Sequence, residues 1–364
     1  MKKYQKTTPN NDGFRMPAEF EEHSGCWMLW PERPDIWRAG SIPAQKLTAE
    51  VVNIISSFEE VTLGVSAMQY FNAKEKVNND RVRFVEISYD DVWIRDTGAV
   101  FIVNSEKTIR GVSWQFNAWG GEFEGLYFPW DKDNAVASKM LAIDRIPEYE
   151  IDFILEGGSI HTDGEGTLLL VEECVMNPNR NHKKLSKLDV ETHLRDYLNV
   201  QKIIWLPRGI SHDETGGHID NLCCFARPTE LLLAWETNTD LPQFSISNEA
   251  YRILSRETDA KGRGFAIHKI PMPPPQFITQ QEAESFSIGY GGGYRVGGYP
   301  LAASYINFYF ANGALILPVF GMPSDNEVIK LFTKIFPERK IVPIMSREFL
   351  LGGGNLHCLT NQVP

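Results

Sequence analysis

Short apolar runs rich in β-branched residues recur along the chain, and turn residues bound them on both sides. Such runs are typical of strands that are buried in a core. The sequence therefore predicts six buried strands, at "VTLGVS" (61–66), "RVRFVEI" (81–87), "EIDFI" (150–154), "KIIWLP" (202–207), "GFAIHKIPM" (264–272) and "KIVPIM" (340–345).

Four stretches between these runs have apolar residues at every third or fourth position, which is the spacing of an amphipathic helix. They are "PAQKLTAEVVNIISSF" (43–58), "LSKLDVETHLRDYL" (185–198), "SNEAYRILSRET" (247–258) and "SDNEVIKLFTKIF" (324–336). The openings "SNEA" and "SDNE" resemble helix N-caps, so we expect the last two helices to begin there.

A longer repeat combines these elements into five similar units. Each unit contains a glycine-rich or acidic turn, a strand, a polar turn and a second strand. The blocks are "RDTGAVFIVNSEKTIRGVSW", "EGGSIHTDGEGTLLLVEE", "GGHIDNLCCFARPTELLLAW", "ASYINFYFANGALILPVFG" and "GGGNLHCLTNQVP". The fifth block has room for one strand, so "GCWMLWP" (25–31) is predicted to supply its partner. Five such units cannot each have a separate core, which predicts one domain over residues 1–364 whose units close a ring.

Two segments do not fit this repeat and are predicted to be surface loops. One is the proline-rich "PMPPPQ" (271–276) and the other is the glycine-rich "GYGGGYRVGGYP" (289–300). Either loop could act as a lid over the centre of the ring.

The composition is that of a globular protein with a large core, because 43% of the 364 residues are hydrophobic. The net charge of −11 argues against a nucleic-acid surface and favours cationic partners. No apolar stretch resembles a signal peptide or a membrane span, so we expect a cytoplasmic protein. The five cysteines lack CxxC spacing, which indicates free thiols rather than disulfides or a zinc cage.

Polar residues stand at the start of the first strand in four of the five blocks, where core residues would be expected. They are Asp96, Glu156, His218, Asp220 and Cys358. On a strand, His218 and Asp220 would project from the same face. If the blocks surround one axis, these side chains meet in one pocket, and the neighbouring glycines let a ligand approach closely.

Each candidate also has a structural alternative. A buried cysteine is often a small hydrophobe, and we assign the other four, Cys26, Cys174, Cys223 and Cys224, to core packing. The acids and the histidine could equally serve salt bridges, turns or structural hydrogen bonds. A second chemical alternative is a metallohydrolase in which His161, His218 and Asp220 hold a zinc ion, although helical HExxH spacing is missing.

Eight segments resemble the agmatine deiminases of the guanidine-modifying pentein superfamily, and they occur in the same order over essentially the whole chain. They are "MPAEFEEHSGCWMLWPERPDIWR" (16–38), "VWIRDTG" (92–98), "FNAWGG" (116–121), "LEGGSIHTDGEGT" (155–167), "NPNRN" (177–181), "TGGHIDN" (215–221), "LAASYINFYFANG" (301–313) and "GGGNLHC" (352–358). The resemblance implies an α+β pentein fold, also called an α/β propeller, with five ββαβ units around a pseudo-fivefold axis.

The same resemblance implies hydrolysis of agmatine to N-carbamoylputrescine and ammonia, without a cofactor or metal, in polyamine metabolism on the route to putrescine. It implies that Cys358 is the nucleophile and that His218, Asp220, Asp96 and Glu156 complete the catalytic set. We expect a homo-oligomer, either a dimer or a tetramer, without a nucleic-acid or membrane partner. Two further alternatives remain. A non-enzymatic binding protein could share the fold, and a deiminase of arginine or peptidyl-arginine would share the catalytic set.

The chemistry explains these residue types. Two carboxylates, Asp96 and Asp220, can hold a guanidinium over the sulfur of Cys358, and a bound cation favours the thiolate. His218, oriented by Glu156, can then protonate the leaving ammonia and activate water.

For the amine end of agmatine we expect an acidic contact at Glu214, with Trp93 or Trp119 along the aliphatic chain. Arg95 is expected to point away from Asp96 and so is not a clamp for a substrate carboxylate.

Overall fold

The structure is a computed structural model that describes residues 7–181, 185–287 and 295–364. Its strands are β1 Gly25–Leu29, β2 Glu60–Val65, β3 Val82–Glu86, β4 Val100–Val103, β5 Ile109–Gln115, β6 Glu148–Ile154, β7 Ile160–Thr162, β8 Thr167–Val171, β9 Lys202–Leu206, β10 Cys223–Arg227, β11 Glu230–Trp235, β12 Ala266–Pro271, β13 Gln276–Phe277, β14 Pro300–Leu301, β15 Tyr309–Ala311, β16 Ala314–Val319, β17 Lys340–Met345 and β18 Asn361–Val363.

Its α-helices are α1 Ile42–Ile55, α2 Tyr70–Lys76, α3 Ile94–Thr97, α4 Gly121–Glu124, α5 Asp131–Asn134, α6 Val136–Asp144, α7 Glu172–Val175, α8 Lys187–Leu198, α9 Ile219–Leu222, α10 Pro242–Leu254, α11 Gln280–Ala283, α12 Pro323–Ile335 and α13 Arg347–Gly352. Two short 3₁₀ helices, Ala39–Ser41 and Gly157–Ser159, complete the set. The mixed α/β content agrees with the predicted class.

Five sheets repeat one topology, in which an antiparallel pair is followed by a parallel third strand. Four of them have the strand orders β4-β5-β6, β7-β8-β9, β10-β11-β12 and β15-β16-β17. A helical segment lies between the second and third strands of each, since a parallel return needs a crossover. The predicted repeat of a hairpin, a helix and a strand is therefore confirmed.

The fifth sheet joins the two ends of the sequence. Strand β18 pairs antiparallel with β1, with Gly25 opposite Val363 and Trp27 opposite Asn361. Strand β2 then pairs parallel with β1, and β3 extends the sheet. The prediction that "GCWMLWP" completes the last unit is confirmed.

All six predicted strands are present, but not all of them are buried. In β3, β9, β12 and β17 most residues are half-buried or exposed, because each is an edge strand of its sheet. The central strands β8, β11 and β16 carry the buried apolar side chains instead. These side chains pack with the helices into three hydrophobic clusters.

The four predicted helices are also present, but two of them begin earlier than expected. Helix α10 begins at Pro242 and α12 at Pro323, because proline is preorganised for the first helical position and lacks the N–H that would go unpaired there. "SNEA" and "SDNE" therefore lie inside the helices, and Ser247 donates a hydrogen bond to the Ala234 carbonyl instead of capping. Within the described residues, every helix is too short or too polar to cross a membrane.

The two predicted loops are covered to different extents. Residues 272–275 of the proline-rich segment connect β12 to β13 without regular structure. In the glycine-rich segment, residues 289–294 lie outside the described residues.

Candidate active site

Three of the predicted site residues converge at Gly158, which follows Glu156 in the "EGG" motif. A Cβ added to Gly158 would lie 2.6 Å from His218 Nδ1, 2.8 Å from Asp220 Oδ2 and 2.9 Å from Asp96 Oδ1. The Gly158 backbone N–H donates to Asp96 Oδ1 at 2.8 Å. A glycine is required here because a side chain would occupy the space that the three polar groups share.

The fourth residue, Cys358, lies in the turn between α13 and β18 and is 6% exposed. Its Sγ lies 3.6 Å from Asp220 Oδ2 and accepts a hydrogen bond from Asn307 Nδ2 at 3.2 Å. Burial, followed by the charges of Asp220 and Asp96, raises the pKa of the Cys358 thiol well above its ordinary value. The thiol is therefore protonated at neutral pH.

His218 is fully buried, and its Nδ1 lies 3.8 Å from Asp96 Oδ2. Burial opposes a charge on this ring, but Asp96, Cys174 and Asp220 together hold its pKa well above the ordinary value. Burial raises the pKa of Asp96 to about 6. Neither ring nitrogen of His218 has a close hydrogen-bond partner among the described residues, although Nδ1 faces Asp96 and Cys174 lies beside the ring.

The fifth residue, Glu156, lies beside His218 but is hydrogen-bonded elsewhere. Glu156 Oε1 accepts from Arg180 Nε at 3.1 Å, and this ion pair is buried. Potential ligand atoms of Glu156, Cys174 and His218 lie within 4.8 Å of one another. Cys174 belongs to the apolar core, as predicted, but its sulfur also lies 3.9 Å from an Arg180 nitrogen. Core packing alone therefore does not describe Cys174.

The site residues lie before the hairpins rather than on them. Asp96 and Asp220 lie in the one-turn helices α3 and α9, His218 is the N-cap of α9, and Glu156 precedes the 3₁₀ helix Gly157–Ser159. The prediction that His218 and Asp220 share a strand face is therefore wrong. Each side chain instead reaches the pocket from a tight turn that leads into the first strand of its sheet.

The three glycines of "GGGNLHC" each have a different neighbour. A Cβ on Gly352 would overlap the Trp37 ring, and one on Gly354 would lie 2.5 Å from the Trp93 ring and 3.2 Å from Cys358 Cβ. Gly353 has a φ of 111°, which strains other residues. The triplet thus lets the backbone pass between two tryptophans on its way to Cys358.

The remaining predicted residues lie around this turn and around Asp96. Trp119 Nε1 donates to Asp96 Oδ2 at 3.0 Å, so Trp119 orients a carboxylate directly. Trp93 Nε1 donates to Asp91 at 2.7 Å, while its ring lies against Gly354.

Glu214 forms a bidentate ion pair with Arg295, in which one of the two hydrogen bonds measures 2.9 Å. A Cβ at Gly353 would lie 2.7 Å from Glu214 and 3.0 Å from Arg295. The pair thus borders the turn that carries Cys358. The pairing balances the charge of Arg295, an arginine that the sequence analysis did not assign to the pocket.

The predicted metal-ligand set of His161, His218 and Asp220 is not brought together around one point. His161 Nδ1 accepts from the Phe225 backbone N–H at 3.3 Å, and its Nε2 points at Glu19, 3.6 Å away. His161 therefore belongs to a different group of buried side chains from His218.

Several residues at or beneath the site were not predicted. Asn307 shortly precedes the first strand of the fourth hairpin, as Asp96 and Asp220 precede the first strands of theirs, so the repeat itself could have indicated it. Three of them lie beneath the site: Arg180 contacts Glu156, His357 contacts Asp220, and Glu19 contacts His357. Their only sequence signal was their presence in the segments that carry the resemblance.

Comparison with known proteins identifies the class. Residues 15–364 match the family model described as Porphyromonas-type peptidyl-arginine deiminase. The fold and the site thus define an enzyme of the deiminase class.

Individual relatives identify the family within this class of enzymes. The chain is 50% identical over 359 residues to the agmatine deiminase of Pseudomonas aeruginosa (strain LESB58), covering 98% of this chain and 97% of that protein. It is 48% identical over 359 residues to the agmatine deiminase of Pseudomonas syringae pv. syringae, covering 98% and 97%. The solved agmatine deiminase of Enterococcus faecalis superposes with a TM-score of 0.96 at 40% identity, covering 100% of this chain and 99% of that one. The chain belongs to the agmatine deiminase family.

Proposed function

We propose that the protein hydrolyses agmatine to N-carbamoylputrescine and ammonia through a covalent intermediate on Cys358. The observation that carries this proposal is the convergence at Gly158, where Asp96, Asp220 and His218 meet beside the Cys358 thiol. The relatives that are about half identical over nearly the whole chain are named agmatine deiminases, which supports the same substrate here.

The two aspartates are suited to bind the guanidinium. Asp96 and Asp220 are buried, and a charge-assisted hydrogen bond is strongest where water is excluded. Oδ1 of Asp220 is buried without a partner among the described residues, so it can accept an N–H of the substrate. A guanidinium held between these carboxylates presents its carbon to the sulfur of Cys358.

The first chemical step joins the sulfur to the guanidinium carbon. The positive charge of the substrate offsets the two carboxylates that raise the pKa of the thiol, so Cys358 loses its proton to solvent on binding. Sulfur then attacks, and the tetrahedral adduct breaks one C–N bond. The leaving nitrogen departs as ammonia with a proton from His218, whose raised pKa keeps the ring charged for this purpose.

The second step returns the enzyme to its starting state. Neutral His218 takes a proton from water, and the oxygen attacks the thiouronium carbon. The C–S bond breaks as the hydroxyl of the adduct becomes the urea carbonyl, its proton passes to the leaving thiolate of Cys358, and N-carbamoylputrescine leaves. Glu156 and Arg180 would hold His218 in place, since Glu156 lies within 4.8 Å of the ring. One water is consumed and one ammonia is released in each turnover.

The amine end of agmatine is proposed to lie near the pair of Glu214 and Arg295. An arginine substrate would bring its α-carboxylate into a site that already contains the two buried acids Asp96 and Asp220. Repulsion and desolvation of this carboxylate cost several kcal/mol. We therefore expect kcat/KM for agmatine to exceed that for free arginine by at least about a thousandfold, measured as ammonia release from both guanidines and from a peptidyl-arginine.

Glu214→Gln leaves Arg295 without its counter-charge, so the preference for agmatine over arginine should shrink at least about tenfold in this variant. Lys261→Gln, a change at an exposed ion pair with Glu165, is the matched control and should leave the ratio unaltered. Comparable wild-type rates on agmatine and arginine would remove the agmatine assignment.

We also infer that the five sheets surround one pseudo-fivefold axis and form a single catalytic domain over residues 1–364. The support is that four three-stranded units and the sheet closed by β18 each place a polar residue before their first strand, and that these residues meet. A chain cleaved between units should consequently lose all activity, and an active isolated fragment would contradict this inference.

A further inference from the structure

A buried histidine that the proposed reaction does not use lies directly behind Asp220. His357 Nδ1 lies 3.0 Å from Asp220 Oδ2, and its Nε2 lies 2.8 Å and 2.9 Å from the two carboxylate oxygens of Glu19. His357 and Glu19 are each 3% exposed. The ring thus connects a carboxylate of the site to a second carboxylate deeper in the protein.

The hydrogen-bond partners fix the protonation state of this ring. Both of its nitrogens face carboxylate oxygens, which only accept hydrogen bonds when ionised, so both nitrogens must carry a proton. A neutral ring would point a lone pair at one of the carboxylates. His357 is therefore an imidazolium with two ionised partners.

The groups around Glu19 agree with this state. Arg95 donates to Glu19 at 3.2 Å. His161 accepts from a backbone N–H at Nδ1, so its proton is on Nε2, which points at Glu19. Two cations, His357 and Arg95, thus balance two anions, Glu19 and Asp220. Burial and Arg95 oppose charge on the ring, but Glu19 and Asp220 raise the pKa of His357 above its ordinary value.

Solvent does not share this contact. The space bounded by Glu19, His161, Asp220 and His357 together with apolar side chains is too small to hold a water molecule. Asp220 Oδ2 therefore accepts its shorter hydrogen bond from His357, with the Cys358 thiol 3.6 Å from the same oxygen, and these two contacts fix the rotation of the carboxylate. The other oxygen, Oδ1, has no partner among the described residues.

We propose that His357, held by Glu19, is a positioning residue that fixes the rotation of the Asp220 carboxylate so that it can receive the guanidinium. This role rests on the proposed function, in which Asp220 binds that group. His357 contacts neither the thiol nor the reacting carbon in this role, and its effect passes through Asp220.

A matched pair of variants separates this role from simple packing. In His357→Asn the amide nitrogen can take the position of Nδ1 and still donate to Asp220, whereas in His357→Gln it takes the position of Nε2 and donates to Glu19. Binding of agmatine is measured by calorimetry in a Cys358→Ser background, where turnover is blocked. We expect the Gln variant to weaken Kd at least about tenfold, and the Asn variant to stay within about threefold.

A packing role predicts a different pattern, in which both variants lower the melting temperature and change Kd equally. Equal Kd values in two folded variants would overturn the proposal. An activity-independent measurement uses the unmodified protein: ¹⁵N NMR of labelled histidine, with His357 assigned by its loss in the Asn variant. Both ring nitrogens should be protonated at pH 7, and an unprotonated nitrogen would also overturn the proposal.

Failure of the proposed function gives a distinct result. If the unmodified protein releases no ammonia from agmatine and the Cys358→Ser variant does not bind it, the substrate assignment fails, and with it the guanidinium role of Asp220. The protonation state of His357 is still decided by the NMR measurement. If the Gln variant does not fold, the proposal is tested by the Kd of the Asn variant and by the ¹⁵N NMR of the His357 ring nitrogens in the unmodified protein.

Discussion

Replacing Gly158 with alanine tests whether the three polar groups must share one point. The new Cβ would lie 2.6 Å from His218 Nδ1, 2.8 Å from Asp220 Oδ2 and 2.9 Å from Asp96 Oδ1, whereas ordinary contact begins at 3.4 Å. All three side chains must therefore move outward, and His218 must move furthest. Because a misplacement approaching about 1 Å costs about a hundredfold in rate, we expect kcat/KM for agmatine to fall about a hundredfold.

The assay is steady-state ammonia release, with circular dichroism and thermal melting as checks of folding. Gly264→Ala is the matched control, because a Cβ at Gly264 has no atom within 4 Å and its backbone is outside the left-handed region. The control should keep wild-type kinetics. If folded Gly158→Ala protein also kept wild-type kcat/KM, the site would tolerate these displacements and the geometric argument would be refuted.

Four further predictions concern the thiol and the aspartates. Cys358→Ser should fold and lose all turnover, and iodoacetamide labelling of the wild type should inactivate at Cys358; a label found exclusively on other cysteines would exclude it as the nucleophile. Because buried acids raise the pKa of this thiol, the cation 2-chloroacetamidine should inactivate at least about tenfold faster than neutral 2-chloroacetamide at pH 7, and equal rates would contradict substrate-assisted ionisation. Asp96 has a pKa of about 6, so kcat/KM should fall as pH drops below about 6 and Asp96 becomes neutral. Asp96→Asn and Asp220→Asn should each lose more than about a hundredfold in activity, and a wild-type profile that stays flat well below this pKa would argue against ionised Asp96.

The repeat could be predicted because hydrophobic pattern and turn residues are local signals. Strand β18 and its partner β1 were identified across the whole sequence, since an incomplete fifth unit required one more strand. The edge strands β12 and β17 were predicted to be buried, because apolar composition does not distinguish a central strand from an edge strand. That distinction depends on which strands become neighbours.

The candidate site was predictable in its membership more than in its geometry. Asp96, His218 and Asp220 lie in short turns or helices rather than in strands, because a single helical turn leaves no periodicity to read. Arg180 contacts Glu156, which is 24 positions away in the sequence, and Glu19 contacts His357, which is 338 positions away. Such pairings arise from tertiary packing, and the spacing of residues along the chain does not contain them.

The pairing of β18 with β1 has a consequence for biosynthesis. Cys358 lies C-terminal to every other residue of the candidate site, and the strand that follows it pairs with one of the first strands to be made. On the ribosome, the proposed guanidinium-binding residues Asp96 and Asp220 are therefore made before the proposed nucleophile, Cys358. A chain whose translation stops before Cys358 would also lack β18, and its unpaired β1 edge would be free to associate with other chains.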